Sequence, residues 1–194
     1  MITTLSNRLI ARLGALEAKP VWGTAADTIL DHVPFRRPIA SPDDPHDSVA
    51  ARAAAIAVLA RRDYACGELR LKLASRGFAV EAIEAVMAAL RSEGVLNDER
   101  FAQNYVAHHA ARGQGPLRIR AELRRLELAA GTIEAALEGG PDWHALASKV
   151  CRSKFGAQAP TQWSQKARQA RFLHYRGFSA DHIRAAVGAE PDPD

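Results

Sequence analysis

Three stretches spaced fifty residues apart decide the fold: CGELRLKLASRGFAVEAIEAVM at 66–87, PLRIRAELRRLELAAGTIEAAL at 116–137 and KARQARFLHYRGFSADHIRAAV at 166–187. Each stretch has a leucine at its eighth position and an isoleucine at its eighteenth. The segment Arg76-Gly77-Phe78 of the first stretch recurs as Arg176-Gly177-Phe178 in the third. A repeat at a fixed period is typical of arrays of small units that bury their apolar faces by stacking on one another.

The apolar spacing within the repeats is helical. Ile83, Val86, Met87 and Leu90 lie at i, i+3, i+4 and i+7, which places them on one face of a helix. Gly115-Pro116 is a helix start, because proline lacks only an N–H that the first turn leaves unused. No stretch alternates with a period of two, so we expect no sheet. The expected fold is all-α: an elongated, curved array of three tandem three-helix repeats resembling helix-turn-helix units.

The chain divides into five segments on this interpretation. Residues 1–50 form an N-terminal extension, with a short amphipathic helix over 3–18 and a linker rich in proline and aspartate. The three helical repeats follow at 51–94, 95–140 and 141–188. Residues 189–194 are an acidic tail.

The charge is concentrated in the repeats. The 194 residues carry 26 Lys+Arg and 22 Asp+Glu, a formal net charge of +4. Residues 51–187 alone hold 21 bases and 13 acids, or +8. Such a balance favours a polyanion or an acidic protein surface as the partner, and it does not choose between them.

Enzymatic and membrane functions have no support in the sequence. The motifs G-x-S-x-G, H-E-x-x-H and G-x-x-x-x-G-K-[ST] are absent. His108 and His109 are adjacent and so cannot face one metal from a helix, and Cys66 and Cys151 are interpreted as small apolar core residues. No apolar run reaches the length of a membrane span. We therefore expect no catalytic residue, no metal, no cofactor and no membrane contact.

Basic residues in or near the second helix of every repeat are the candidate binding residues. In a stacked array they would form a stripe along one side, suited to phosphates or to an acidic groove. An ordinary solvated helix face is the alternative interpretation. Tyr64 precedes the second helix of the first repeat, where its ring could contact a partner or pack in the core with a solvated hydroxyl.

Four segments resemble regulatory proteins of the RecX family. They are LARRDYACGELRLKL at 59–73, GVLNDERFAQNYV at 94–106, RGQGPLRIRAEL at 112–123 and KARQARFL at 166–173. The resemblance covers about residues 51–188, and the 50-residue N-terminal extension lies outside it.

The resemblance implies a non-enzymatic, cytoplasmic bacterial regulator that binds the RecA recombinase filament. It also implies inhibition of recombinase ATPase, strand exchange and co-protease activity, with effects on recombination, DNA repair and the SOS response. Weaker, electrostatic binding to single- or double-stranded DNA is reported for the family. A direct DNA-binding regulator of the helix-turn-helix type is the alternative function. A monomer is favoured, because the sequence contains no heptad pattern.

The partner-binding residues that this resemblance implies lie in all three repeats. Their expected role is to form charge-assisted hydrogen bonds to recombinase carboxylates or to DNA phosphates. The set is Arg112, Arg118, Arg120 and Arg124 in the second repeat, Tyr64, Arg70 and Lys72 in the first, and Arg168 and Arg171 in the third.

Overall fold

The computed structural model describes residues 42–158 and 160–188. The amphipathic helix predicted over 3–18 and the acidic tail lie outside these residues. Within them the only regular elements are helices, which we number in chain order. They are α1 Ser48–Leu59, α2 Cys66–Ala74, α3 Val80–Ser92, α4 Asp98–Ala111, α5 Pro116–Arg125, α6 Ala130–Glu138, α7 Trp143–Phe155, α8 Trp163–Arg176 and α9 Ala180–Val187.

Polar residues at the helix starts explain where the chain becomes helical. The first helix of each group of three has a side-chain cap: Asp47 for α1, Asn97 for α4 and Asp142 for α7. Each cap accepts hydrogen bonds from backbone N–H groups of the first turn, which have no partner within the helix. Ser179 forms a capping box with His182 at the start of α9. Pro116 occupies the first turn of α5.

The helices form three groups, each with its own apolar core. We call α1–α3 unit 1, α4–α6 unit 2 and α7–α9 unit 3. The repeated leucines Leu73, Leu123 and Leu173 are fully buried, one in each core. The expected all-α fold of tandem three-helix units is therefore confirmed. Alanine supplies much of the unit 1 core on α1, where Ala51 and Ala55 are completely buried and let the helix pack closely.

The second helices connect neighbouring units. At the unit 2–unit 3 boundary, Gly115 N–H donates to the carbonyl of Arg176 at 2.8 Å, and Leu117 N–H donates to the carbonyl of Gly177 at 3.0 Å. The unpaired donors at the start of α5 thus meet the unpaired acceptors at the end of α8. At the unit 1–unit 2 boundary, Cys66 N–H at the start of α2 donates to a carboxylate oxygen of Asp98 at 2.8 Å.

The turn after each second helix uses left-handed backbone. In units 1 and 3 this position is a glycine, Gly77 with φ 90° and Gly177 with φ 87°. In unit 2 it is Glu127, whose φ of 62° places a side chain in the region that glycine occupies at least cost. The start of α2 approaches this turn closely, since a Cβ on Gly67 would lie 3.1 Å from the Leu126 carbonyl oxygen.

Candidate partner-binding surface

The helix α5 carries the densest group of candidate residues. It buries Ile119 and Leu123 in the unit 2 core, which leaves its arginines on the partly buried flanks and the exposed side. Arg118 and Arg120 are half-buried, whereas Arg124 is exposed. The burial difference follows from the helical period, because Ile119 and Leu123 fix which side faces the core.

Arg120 is held inside unit 2 by a two-pronged ion pair. Its Nε and Nη2 donate to the two carboxylate oxygens of Glu134 on α6, each at 2.7 Å. This hydrogen bonding raises the pKa of the Arg120 guanidinium and lowers the pKa of the Glu134 carboxyl. The planar guanidinium matches the carboxylate, so the pair fixes α5 against α6.

The same ion pair occurs fifty residues earlier. Arg70 on α2 donates from Nε to Glu84 Oε1 on α3 at 2.6 Å, and from Nη2 to Oε2 at 3.4 Å. The hydrogen bond lowers the pKa of Glu84 and raises that of Arg70. Arg70 and Arg120 therefore have a structural contact in common, in addition to the binding role predicted for them.

Unit 3 lacks this pair, because its sequence differs at both positions. Ala170 stands where Arg70 and Arg120 stand in the other units, and Arg184 stands in place of the glutamate. Arg184 pairs instead with Asp181 in the first turn of α9. Among the residues described, the second helix of unit 3 thus has no carboxylate bridge to the third, and Arg168 and Arg171 on that helix are exposed.

Arg118 belongs to a polar network between α4 and α5 of unit 2. Its Nε donates to Glu122 Oε1 at 2.9 Å, and the Tyr105 hydroxyl donates to Glu122 Oε2 at 3.1 Å. Burial, with Glu122 beside it, raises the pKa of the Tyr105 phenol. The Tyr105 ring stacks on His109 at 4.0 Å between centroids, and His109 Nδ1 lies 2.6 Å from Gln114 Oε1. Burial lowers the pKa of His109.

Two pairs of the predicted arginines come together in unit 2. Arg112 and Arg118 both lie close enough to His109 for their charges to lower its pKa further. Arg120 and Arg124 both lower the pKa of Glu134. Arg112 ends α4, its side chain is exposed, and its carbonyl accepts a hydrogen bond from Arg176 Nη1 of unit 3 at 3.0 Å.

The predicted residues of unit 1 differ in exposure. Lys72 is exposed on α2. Tyr64 is half-buried against the unit 1 core, with the Arg62 guanidinium 3.6 Å from its ring centroid. This cation–π contact covers one face of the ring. Arg62 is itself paired with Glu68, which anchors the segment before α2.

The predicted residues of unit 3 are exposed on α8. The Arg168 guanidinium lies 5.7 Å from the ring centroid of Phe155, and Arg171 Nε donates to the Ala167 carbonyl at 3.4 Å. On the same helix, sequence reasoning missed Trp163 and Tyr175, which are 68% and 79% exposed. Counting about 100° per residue from the buried Leu173 would have placed Tyr175 about 160° away from it, on the side that faces away from the core.

The described part of the chain contains no candidate metal cluster and no candidate membrane span. No three His, Cys, Asp or Glu residues within 42–158 and 160–188 are arranged to hold a metal ion. None of the helices in these ranges is long and apolar enough to cross a membrane. The two cysteines in this part are buried and not bonded to each other: Cys66 accepts a hydrogen bond from Arg91, and Cys151 donates one to Gln169.

Fold and surface together define a class of protein. Over residues 42–158 and 160–188 it consists of three consecutive three-helix units, with arginines or lysines on the second helix of each. Models of the RecX domains match the chain unit by unit: the first three-helix domain at 51–90, the second at 97–137 and the third at 142–187. The chain belongs to the RecX family.

Individual relatives agree with this assignment. The chain is 44% identical over 148 residues to the regulatory protein RecX of Halorhodospira halophila, covering 76% of this chain and 92% of the relative. It is 39% identical over 137 residues to that of Vibrio vulnificus, covering 70% and 90%. The crystal structure of RecX from Lactobacillus salivarius shares the fold with a TM-score of 0.65 at 20% identity, covering 73% of this chain and 94% of that one. The chain is thus a member of a family of regulatory proteins.

Proposed function

We propose that this protein is a non-enzymatic, cytoplasmic regulator that binds the RecA recombinase filament and inhibits its ATPase, strand exchange and co-protease activities. Through these activities it lowers recombination and moderates DNA repair and the SOS response. The protein acts as a monomer. This proposal rests on the match of all three units to consecutive RecX domains. The match includes the basic second helix of every unit.

The candidate residues differ in whether they form ion pairs within the chain. Arg70 and Arg120 bridge helices within their units, and Arg118 is bonded to Glu122. Arg112, Arg124 and Lys72 have exposed side chains and form no ion pair within 4 Å among the residues described. We assign the direct contacts with recombinase carboxylates to these three residues, together with Arg168 and Arg171. A basic side chain without a carboxylate partner in its own chain gives up no ion pair when it binds a recombinase carboxylate.

A titration of recombinase ATPase on single-stranded DNA tests the proposal. Inhibition at well below one regulator per recombinase protomer is expected, because a regulator bound along a filament contacts several protomers. No inhibition by a chain of intact helicity, combined with tight binding to free DNA, would replace the proposal with a direct DNA-binding regulator. Binding to free DNA by phosphate contacts alone would show a log–log salt slope of about −0.7 per contacted phosphate on single strands.

A further inference from the structure

The second helices of the three units follow one another start to end. The start of α5 donates its hydrogen bonds to the carbonyls of Arg176 and Gly177, at the end of α8. The start of α2 likewise lies against the end of α5, since a Cβ on Gly67 would lie 3.1 Å from the Leu126 carbonyl oxygen. The row therefore runs α8, α5, α2. Within the described chain, the start of α8 and the end of α2 have no further unit beside them.

The end of α2 repeats the sequence of the occupied end of α8. Arg76-Gly77-Phe78 and Arg176-Gly177-Phe178 are the same three residues, and both glycines have left-handed backbone. Phe178, beside the start of α5, is completely buried, whereas Phe78 is half-buried and Gly77 is exposed. No backbone N–H of residues 42–158 and 160–188 donates to the carbonyl of Arg76 or Gly77. The end of α2 is thus one half of the joint between units, without its other half.

Exposed apolar side chains flank this open end. The Ala79 N–H, in the turn after α2, donates to the Pro45 carbonyl at 2.8 Å, which brings the start of α1 near the start of α3. Val49 in the first turn of α1 and Val80 in the first turn of α3 are 77% and 67% exposed. Together they widen the apolar surface that a partner can cover. We call residues 43–49 and 75–81 the outer end of unit 1.

The start of α8 is exposed in the same way. The starts of α2 and α5 are buried at Cys66 and Pro116, whereas residues 161–165 are all exposed. Trp163, in the first turn of α8, is 68% exposed, and Gln162 gives this turn no side-chain cap. An exposed tryptophan ring and an uncapped first turn both gain when a partner covers them. We call residues 160–168, together with Lys154, the outer end of unit 3.

The two outer ends carry opposite charge. The exposed acids of the outer end of unit 1 are Asp43, Asp44, Asp47 and Glu81. Its arginine, Arg76, is turned inward and donates to the Ala54 carbonyl at 3.2 Å. No aspartate or glutamate occurs between Asp142 and Asp181, and the bases of the outer end of unit 3 are Lys154, Lys166 and Arg168. Opposite charge favours contact of one end with the other and disfavours contact of either end with itself.

We propose that the outer end of unit 3 in one copy of this chain binds the outer end of unit 1 in the next copy, so that copies join head to tail. Trp163 covers Val80, and Lys154 and Arg168 face the acids. A contact of this kind joins two different surfaces, so it does not close on itself and extends into a row of copies.

Side chains make this contact, because the close backbone approach of units 2 and 3 is not available to it. Gln162 is the N-cap of α8, where α5 has Gly115, and a Cβ at Gly115 would lie 2.4 Å from the backbone of Gly177. The unit 1–unit 2 boundary is the closer parallel, since the Cys66 N–H donates there to the Asp98 carboxylate. The contact is therefore weak, and the free chain is a monomer in dilute solution.

A weak contact gains strength when the copies are held side by side. Copies bound next to one another on one filament have a raised effective concentration, so they bind that filament cooperatively. This consequence rests on the function proposed above. The contact itself involves only copies of this chain, so it can be tested without recombinase.

Sedimentation velocity of the full chain over a rising concentration series, with neither recombinase nor nucleic acid, tests the contact. The weight-average sedimentation coefficient of the wild type is expected to rise with concentration. Trp163→Asp places an acid opposite the acids of unit 1, and Val80→Arg places a base opposite the bases of unit 3, so each variant is expected to remain monomeric. Tyr175→Asp replaces another exposed aromatic residue of α8 with the same charge, twelve positions further on, and should associate like the wild type.

An equimolar mixture of Trp163→Asp and Val80→Arg separates a head-to-tail contact from a symmetric one. Each variant supplies the outer end that the other lacks, so the mixture is expected to regain association. Helical circular dichroism confirms that both are folded. Three results would overturn the proposal: a wild type that is monomeric at every concentration, association of either variant alone, or a mixture of folded variants that stays monomeric. None of them bears on the ATPase titration, because recombinase is absent.

Discussion

Gly115 and Gly177 meet backbone to backbone at the boundary between units 2 and 3. A Cβ on Gly115 would lie 2.4 Å from both the carbonyl carbon and the carbonyl oxygen of Gly177. A Cβ on Gly177 would lie 2.3 Å from the Cβ of Arg118. This approach allows the first turn of α5 to donate its hydrogen bonds into the end of α8. The arginine-bearing helix of unit 2 is thereby fixed to unit 3.

Replacing Gly115 is expected to open this boundary. In Gly115→Ala the three atoms nearest to the new methyl group belong to the backbone and cannot rotate away, so the two hydrogen bonds across the boundary must lengthen or break. We expect the free energy of unfolding to fall by about 1–3 kcal/mol, the usual cost of overpacking. Urea denaturation followed by helical circular dichroism measures it.

Gly131→Ala provides the matched control for this prediction. A Cβ on Gly131 in α6 meets nothing within 4 Å, so alanine there is expected to raise the free energy of unfolding by about 0.5–1 kcal/mol. If Gly115→Ala were as stable as the wild type, the turn after α8 would be adjustable, and the close approach would not hold the two units together.

At the left-handed position of unit 2, a glycine variant is expected to be more stable than an alanine variant, which is the opposite of their order in a helix. Glu127 has φ 62° in the turn that Gly77 and Gly177 occupy in the other units. Glu127→Ala keeps the backbone strain and loses the side chain, whereas Glu127→Gly loses both. We expect the glycine variant to be more stable than the alanine variant by about 1 kcal/mol.

Thermal unfolding of the two variants under identical conditions gives this difference. Alanine as stable as glycine would mean that the turn relaxes to negative φ. Position 135 in α6 gives the same comparison in a helix interior, between the wild type and Ala135→Gly. The order there should be the opposite, with the glycine variant less stable by about 1 kcal/mol.

Much of the fold was predictable because its signals are local. The period of fifty, the helix starts and the buried leucines follow from spacing and from the chemistry of single residues, such as Pro116 at the start of α5. The pairing of Arg120 with Glu134 was not predictable in the same way. It joins two residues that are fourteen positions apart on consecutive helices, and only the packing angle of these helices decides whether the side chains meet.

The candidate surface was predictable in composition and only partly in arrangement. A sequence shows that arginines are frequent on α5, but it does not show which of them are occupied by a carboxylate of the same unit. Trp163 and Tyr175 were missed for a related reason. Aromatic residues on amphipathic helices are usually buried, so the residue type alone gave no reason to expect their exposure on α8.

The Arg120–Glu134 pair is expected to make stability depend on pH. Hydrogen bonding by Arg120 lowers the folded pKa of Glu134 below the ordinary value of 4.5. A carboxyl with a lowered folded pKa stabilises the protein above its unfolded pKa, and this stabilisation is lost as the pH falls through the folded value. The stability difference between the wild type and Glu134→Gln should therefore shrink from pH 6 towards pH 3.

The size of this effect is limited by solvent, because the Glu134 side chain is 43% exposed. We expect about 0.5 kcal/mol or less at neutral pH. Urea denaturation at a series of pH values measures it, and Glu138→Gln, on the same helix and exposed, is the charge-matched control. A difference that is constant with pH would mean that the pair does not form in solution.

Variants of Arg120 and of two exposed arginines of unit 2, Arg112 and Arg124, should separate the effect on stability from the effect on recombinase inhibition. Arg120→Ala leaves Glu134 without its bridge, so it should lower the free energy of unfolding by about 0.5–1 kcal/mol. Arg112→Ala/Arg124→Ala breaks no ion pair described in the structure, so its unfolding free energy should match the wild type within about 0.5 kcal/mol.

The order reverses for inhibition of recombinase ATPase. We expect the half-inhibitory concentration of Arg112→Ala/Arg124→Ala to rise about tenfold or more, since each lost charge-assisted hydrogen bond is worth about 1.5–3 kcal/mol before solvent screening. Arg184→Ala removes one charge from an exposed surface pair on α9 and should inhibit like the wild type. Full inhibition by Arg112→Ala/Arg124→Ala would assign the contact with recombinase to another part of the array. Misfolding cannot produce this result, because a misfolded variant would not inhibit.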